Sequence, residues 1–152
     1  MSSRIAIAIL TGTLVIWGNV VAPGHAAEAE RIAPPYPERG LKGTVSAKRL
    51  PVPPHPMLIR GGEIWDQNCR ICHGSGNFGA PKITGSRFWG KRLPKGIATL
   101  ISHAQNGFET PLGGLMPARG GNDELTDTEV EAAVRFMVFN SGGEDIAAEG
   151  LE

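Results

Sequence analysis

The chain has 152 residues with 15 basic and 15 acidic side chains, so its formal net charge at pH 7 is zero. This length predicts one domain with appendages. The balanced charge excludes a disordered polyelectrolyte and a general nucleic-acid binder, and two cysteines are too few for a disulfide-stapled mini-protein. Glycine (21) and proline (12) are abundant, whereas aromatic residues make up only 6%. Because few large side chains are present, we expect another group to fill the centre of the fold.

The first 26 residues have the three-part pattern of a secretory signal peptide. Arg4 precedes an apolar run from Ile5 to Val21, and small residues follow, with the best cleavage position after Ala26. The run of 17 residues is shorter than the ~20 that a spanning helix needs. A cleaved signal is therefore favoured over a retained membrane anchor, and either interpretation places the remaining chain outside the cytoplasm.

A proline-rich segment follows over residues 27–56. Seven of the 12 prolines lie between Pro34 and Pro56, and proline lacks a backbone donor and disfavours helix in the residue before it. We therefore expect an extended arm, either a solvated linker or a strap that lies on a partner protein. The domain itself is expected over 57–141, and a flexible acidic tail over 142–152.

Two helices are predicted in the first half of this domain. Apolar and small residues recur at helical spacing over 58–70. The same spacing recurs over 94–105, where Pro94 suits the first helical position. No alternating pattern indicates a strand, so the predicted fold class is all-α.

The last helix has the clearest signals in the sequence. Thr126 and Glu129 have the spacing of a capping box, and an apolar stripe runs over 130–138. The remaining segments, 76–92 and 107–124, are rich in glycine and have no helical period. Long irregular segments in a small domain need something to fold around.

Both cysteines lie in the sequence Cys69-Arg70-Ile71-Cys72-His73, which is the attachment signature of c-type haem. Two thiols one helical turn apart can add to the two vinyl groups of one porphyrin, and His73 can then bind the iron. A thiol–disulfide pair usually belongs to a βαβ unit, and a zinc site would need a second ligand pair. The sequence therefore predicts one haem c, held by two thioethers at Cys69 and Cys72.

A methionine is the expected sixth iron ligand, and the chain has four of them. Met1 belongs to the signal peptide, Met57 begins the first predicted helix, and Met137 lies on the apolar stripe of the last one. Met116 lies in a loop with glycine and proline, where no helical period explains an apolar residue. We therefore predict Met116 as the ligand, with His103 as the competing candidate. A His/Met pair leaves the iron no open site, which favours electron transfer over oxygen chemistry.

The stretch from Gly61 to Gly142 resembles bacterial class I c-type cytochromes, in particular the cytochrome c-five group. The matching pieces are Gly61, Trp65, Cys69-Arg70-Ile71-Cys72-His73-Gly74-Ser75-Gly76, Gly79-Ala80-Pro81-Lys82, Trp89, His103-Ala104-Gln105-Asn106-Gly107, Met116-Pro117, Arg119-Gly120-Gly121 and the helix from Leu125 to Met137. The resemblance implies a small all-α fold whose helices and glycine-rich loops surround one covalently attached haem. It also implies that the first and last helices cross near Gly61 and Phe136.

The same resemblance implies contacts around the cofactor. The carbonyl of Pro81 is expected to accept a hydrogen bond from the ring nitrogen of His73 that faces away from the iron. Trp89 and Arg92 are expected to contact a haem propionate.

The zero net charge conceals an uneven distribution along the chain. Residues 67–119 contain seven cations and one acid, whereas residues 120–152 contain nine acids and one cation. These are either solvated faces, or the basic stretch surrounds a haem edge and steers docking to an acidic redox partner.

Taken with the signal peptide, these features predict a periplasmic electron carrier that is not an enzyme. It would exchange electrons with redox proteins, and would touch a membrane only if the leader is retained. One alternative is a dedicated cytochrome subunit of a periplasmic dehydrogenase that oxidises a sulfur compound or an alcohol. The others are a haem-based gas sensor and a thiol–disulfide enzyme without haem.

Overall fold

The computed structural model describes residues 35–111 and 113–152. The α-helices in this part are α1 (Pro56–Asn68), α2 (Arg70–His73), α3 (Ser86–Trp89), α4 (Ile97–Asn106), α5 (Asp127–Phe139) and α6 (Glu144–Ala148). Short 3-10 helices lie at Ala47–Arg49, Asn77–Gly79, Leu93–Lys95 and Ala118–Gly121. Two antiparallel strands, β1 (Phe108–Glu109) and β2 (Leu115–Met116), have two residues each. The all-α prediction is therefore confirmed.

The predicted signal peptide over 1–26 and the arm residues 27–34 lie outside the described residues. Within the described part, no helix has the length and apolar character needed to cross a membrane.

Helices α1 and α5 cross with their backbones in close contact. Gly61 of α1 lies against the backbone of Ala132 in α5, where a Cβ atom on Gly61 would overlap the Ala132 carbonyl. One turn further along, Trp65 packs on Phe136 with ring centroids 5.7 Å apart. The crossing near Gly61 and Phe136 that the family resemblance implies is therefore confirmed.

The start of α5 is fixed by the predicted capping box. The Thr126 hydroxyl accepts from the backbone N–H of Glu129 at 3.3 Å, and the Glu129 carboxylate accepts from the N–H of Thr126 at 3.0 Å. Two backbone donors that have no partner within the helix are thereby satisfied, which explains why α5 begins at this point.

Helix α4 begins at Ile97 and not, as the sequence predicts, at Pro94. Pro94 instead lies in the 3-10 helix Leu93–Lys95. Gly96 separates the two with φ +79° and ψ 160°, a conformation that is not helical and that favours glycine. The spacing of apolar residues alone does not reveal this break.

Residues 35–55 pack against the domain. Val45 and Leu50 are fully buried, and Tyr36 is only 8% exposed. All three belong to the same hydrophobic core as Trp65 and Phe136. The solvated-linker interpretation is therefore wrong for this part of the arm, because proline content predicts an extended backbone but not where its apolar side chains are buried.

The acidic tail, which is expected from the sequence to be flexible, packs against the fold. Ala147 of α6 is fully buried. Arg135, which is buried on α5, donates from Nη1 to the carbonyls of Ala147 and Glu149, both at 2.8 Å. These bonds occupy carbonyl groups near the end of α6 and hold the tail against α5.

Candidate haem site

An apolar cavity lies between α1, α4, α5 and the loop that contains Met116. Its lining residues are Trp65, Cys69, His73, Ala104, Met116, Arg119, Gly120, Leu125, Val130, Ala133, Val134 and Met137. Three of the four predicted site residues, Cys69, His73 and Met116, therefore line the same space. The fourth, Cys72, is half-buried in α2 beside it.

The two cysteines lie on consecutive helical turns. The N–H of Cys69 donates to the carbonyl of Trp65 at 2.9 Å, and the N–H of His73 donates to the carbonyl of Cys69 at 3.0 Å. Burial, with a smaller contribution from Cys72, raises the pKa of the Cys69 thiol to about 12. A redox-active thiol pair needs a lowered pKa, so this environment disfavours the thiol–disulfide enzyme.

His73 is buried and has a fixed ring orientation. Its Nδ1 lies 2.9 Å from the carbonyl oxygen of Pro81. Because a carbonyl only accepts, Nδ1 carries a proton. Burial lowers the pKa of His73, the Pro81 bond opposes this effect, and Arg92 lowers the pKa further. The expected Pro81 contact is confirmed, and the ring is neutral with a nitrogen available to a metal.

A short hairpin places Met116. Phe108 of β1 pairs with Met116 of β2, and the N–H of Thr110 donates to the carbonyl of Gly114 at 2.7 Å. Before the hairpin, Gly107 has φ +83°, and a Cβ atom there would lie 3.0 Å from the Met116 carbonyl oxygen. The backbones approach so closely only because this residue is glycine. Strands of two residues are too short to show alternation, so the sequence contained no signal for them.

The chain after Met116 is anchored to both long helices. Arg119 donates to the carbonyl of Leu125 at 2.7 Å and pairs with Asp127 at 2.6 Å. Asn122 donates from its side-chain amide to the side-chain oxygen of Asn68 at 2.9 Å. The methionine loop is therefore attached to the end of α1 and the start of α5.

The structure separates the remaining candidates for the sixth ligand. Met137 lines the cavity from α5, whereas His103 and Met57 are not among its lining residues. The His103 ring stacks on Phe108, with ring centroids 4.2 Å apart. Met57 packs half-buried against the hydrophobic core. Within the described residues, the cavity therefore contains two of the candidates, Met116 and Met137.

The expected propionate contacts receive less support. The single indole N–H of Trp89 donates to the carbonyl of Lys82 at 2.9 Å, and Arg92 donates from Nη1 to the carbonyl of Phe88 at 2.7 Å. Neither Trp89 nor Arg92 is among the lining residues of the cavity. The Trp89 donor is occupied within the protein, so only Arg92 has further N–H groups to offer.

The chemistry of the cavity fits a c-type haem. Its walls are largely apolar, two thiols lie one turn apart at its edge, and the imidazole presents a free Nε2. Imidazole and thioether are ligands that hold haem iron in cytochromes c. In addition, the indole N–H of Trp65 is buried on the cavity wall without a hydrogen-bond partner among the described residues.

Comparisons with known proteins assign the family. Residues 56–137 match the family model described as cytochrome C oxidase, cbb3-type, subunit III. The chain is 45% identical over 84 residues to cytochrome c-555 of Prosthecochloris aestuarii, which covers 53% of this chain and 85% of that protein. The chain belongs to the bacterial class I c-type cytochromes. Its cofactor is therefore haem c, and it is an electron-transfer protein and not an enzyme.

Further relatives of this cytochrome support the same family. It is 41% identical over 81 residues to cytochrome c-555 of Chlorobaculum tepidum, which covers 53% of this chain and 74% of that protein. It is 30% identical over 77 residues to cytochrome c5 of Ectopseudomonas mendocina, and the match covers 49% of this chain and 83% of that protein. The family match over 56–137 contains all four predicted site residues, whereas residues 35–55 and α6 lie outside it.

Proposed function

We propose that this cytochrome is a periplasmic monohaem electron carrier in which His73 and Met116 would hold the haem iron. The observation that carries the proposal is that Cys69, His73 and Met116 line one apolar cavity although Met116 is distant from the other two in sequence. The hairpin and the loop after it attach Met116 to this position from both sides.

The assigned roles follow from the state of each group. Cys69 and Cys72 would hold the haem through thioethers, and His73 would bind the iron through Nε2, because Nδ1 donates to Pro81. Met116 would supply a thioether sulfur. A c-type haem bound there supplies a one-electron couple between ferrous and ferric iron. Two protein ligands and apolar walls would exclude water and would leave no site for a substrate or a gas.

A haem assay of the purified mature protein tests this proposal. After denaturation and extraction with acidified acetone, the haem should stay with the protein at one per chain. The native ferric form should show a methionine-to-iron charge-transfer band, and the ferrous form should not bind carbon monoxide at neutral pH. Extractable haem, a second haem or carbon monoxide binding would contradict the carrier and favour one of the alternatives.

The periplasmic location rests on the signal-peptide pattern of residues 1–26. N-terminal sequencing of the exported protein should begin at Ala27. A mature protein that retains the apolar run would instead support the membrane anchor.

We also propose an electrostatic docking surface, smaller than the sequence suggests. Three of the seven cations between residues 67 and 119 are occupied, because Lys82 is buried, Arg70 pairs with Asp66 and Arg119 pairs with Asp127. Arg92 is half-buried and donates to the carbonyl of Phe88, so the exposed cations that remain are Arg87, Lys91 and Lys95. These three would steer an acidic redox partner towards the protein.

The alternative role as a dedicated dehydrogenase subunit loses part of its support. It rested on an arm that could lie on a partner protein, but residues 35–55 pack on the cytochrome's own core. The carrier role is therefore favoured.

A further inference from the structure

Part of the arm lies across the segment Pro81–Thr84, which is hydrogen-bonded to His73. We call residues 38–47 the proximal strap. The side chain of Lys82 is buried and donates from Nζ to the carbonyls of Leu41 and Gly43, the latter at 2.6 Å. The N–H of Leu41 donates in turn to the hydroxyl of Thr84 at 3.1 Å, and Thr84 is fully buried. The proximal strap and the segment Pro81–Thr84 are therefore joined by hydrogen bonds in both directions.

The fit between the strap and the domain is close. The N–H of Val45 donates at 3.0 Å to the carbonyl of Gly74, the residue after His73, and a Cβ atom on Gly74 would lie 2.6 Å from the Val45 carbonyl oxygen. Gly40 has φ +82°, and a Cβ atom there would lie 3.0 Å from side-chain atoms of Lys82 and of Thr84. A side chain at residue 74 would overlap the Val45 backbone, and one at residue 40 would press on the Lys82 and Thr84 side chains, so both contacts favour glycine.

The segment under the strap also contacts His73. The carbonyl of Pro81 accepts from Nδ1 of His73 at 2.9 Å, and the N–H of Ile83 donates to the carbonyl of His73 at 2.8 Å. Lys82 lies between Pro81 and Ile83 in the chain, and its side chain is bound by the strap. One side of a short backbone segment therefore contacts the histidine, while its buried side chains contact the strap.

We propose that the proximal strap is a positioning element of the iron centre, and that Lys82 is its principal positioning residue. It holds the Pro81 carbonyl against His73, which keeps the imidazole basic and favours ferric iron. The inference rests on the proposed function in one respect, the assignment of His73 as an iron ligand. The strap lies outside the family match over 56–137, whereas Lys82 lies within it.

The first test replaces Lys82 by methionine, which keeps most of the volume but removes the donors. Exchange of the His73 Nδ1 proton, followed by NMR in the ferrous protein, should become about tenfold faster or more. The reduction potential should rise, because a weaker hydrogen bond from His73 to Pro81 makes the imidazole less basic. Lys82 does not line the haem cavity, so the substitution removes no wall of the cavity itself. Lys48→Met, at an exposed lysine outside the strap and outside the docking surface, is the matched control and should change neither quantity.

A second pair of variants tests the strap itself and does not depend on folding of Lys82→Met. Gly40 and Gly43 both have positive φ, at +82° and +72°, but only at Gly40 would a Cβ atom meet another residue. Gly40→Ala should therefore accelerate the exchange and raise the potential more than Gly43→Ala.

Two results would overturn the inference. The first is a folded Lys82→Met protein with the exchange rate and potential of the wild type, and the second is an equal effect of the two glycine variants. A failure of the proposed function would be recognised separately, because the wild-type spectrum would then lack the signature of histidine and methionine ligation.

Discussion

Gly61 of α1 lies directly against the carbonyl of Ala132 in α5, with no room for a side chain between them. Its neighbour Gly62 is almost as confined, since a Cβ atom there would lie 2.9 Å from the ring of Phe136. These contacts set the separation of the two helices, and Trp65, one turn after Gly61, lines the cavity. The dimensions of the proposed haem site therefore depend on a glycine at the helix crossing.

Replacing Gly61 by alanine should destabilise the cytochrome. The added methyl group would meet backbone atoms, which cannot rotate away as a side chain can, so we expect a loss of about 3 kcal/mol in the free energy of unfolding. Gly90→Ala is the control, because its Cβ would lie 3.8 Å from its nearest neighbour, the carbonyl oxygen of Ser86. Denaturant melts of the two holoproteins give the comparison, and equal stabilities would show that the crossing can relax.

Met116→Ala should keep the covalent haem but open the sixth position. The methionine band of the ferric protein should disappear, the potential should fall, and the ferrous form should bind carbon monoxide. Met137→Leu is the matched control, since Met137 lines the same cavity from α5. That variant should keep the wild-type spectrum and lose less than about 1.5 kcal/mol of stability. The opposite pattern of spectra would identify Met137 as the ligand.

The proposed docking surface predicts that the rate of electron transfer to an anionic oxidant depends on salt. Oxidation of the ferrous protein by ferricyanide, an anion, should slow as ionic strength rises, because screening weakens the attraction of Arg87, Lys91 and Lys95. Replacing these three by glutamine should make the dependence shallower. Stopped-flow measurement of the oxidation rate at several salt concentrations gives this dependence. The control replaces the exposed Lys42 and Lys48 of the arm by glutamine. Equal slopes in both sets of variants would rule out this surface.

Tyr36 predicts how stability changes at alkaline pH. Burial, and secondly the charge of Glu144, raise the pKa of Tyr36 to about 12, whereas an unfolded tyrosine titrates near pH ~10. Between these values the folded protein retains a proton that the unfolded chain has lost. Tyr36 therefore contributes its full stabilisation below the unfolded pKa and loses it as the pH rises through the folded one.

Tyr36→Phe removes this titration. Its free energy of unfolding should fall less steeply than that of the wild type as the pH rises above about 10. Urea melts at several alkaline pH values measure the two slopes, with neutral pH as the reference. Parallel curves would contradict the burial of Tyr36 against the domain.

Features that depend on near neighbours in the chain were predictable. The capping box joins Thr126 to Glu129, and the hydrogen bond that completes it follows from their spacing alone. The haem signature is likewise contained in the five residues from Cys69 to His73. Family resemblance also made two longer-range contacts predictable, the hydrogen bond of His73 to Pro81 and the helix crossing at Gly61.

The burial of Lys82 could not be predicted from the sequence. In the sequence it is one of seven cations in a basic stretch and contributes to an expected docking surface. In the structure it is buried, and it holds the arm through backbone carbonyls roughly forty residues earlier. Nothing in its local sequence distinguishes it from Lys91, because the partners that bury it are distant in the chain.

The abundance of glycine and the scarcity of aromatic residues already indicated a fold that surrounds something other than its own side chains. By itself the sequence determined the three longest helices, the capping box of α5 and the attachment chemistry, since each arises between residues a few positions apart. The tertiary structure decided that Met116 shares a cavity with His73, that residues 35–55 and the tail pack on the core, and which of the described charges face solvent. Burial is a property of contacts between distant residues, and these exist only once the chain has folded.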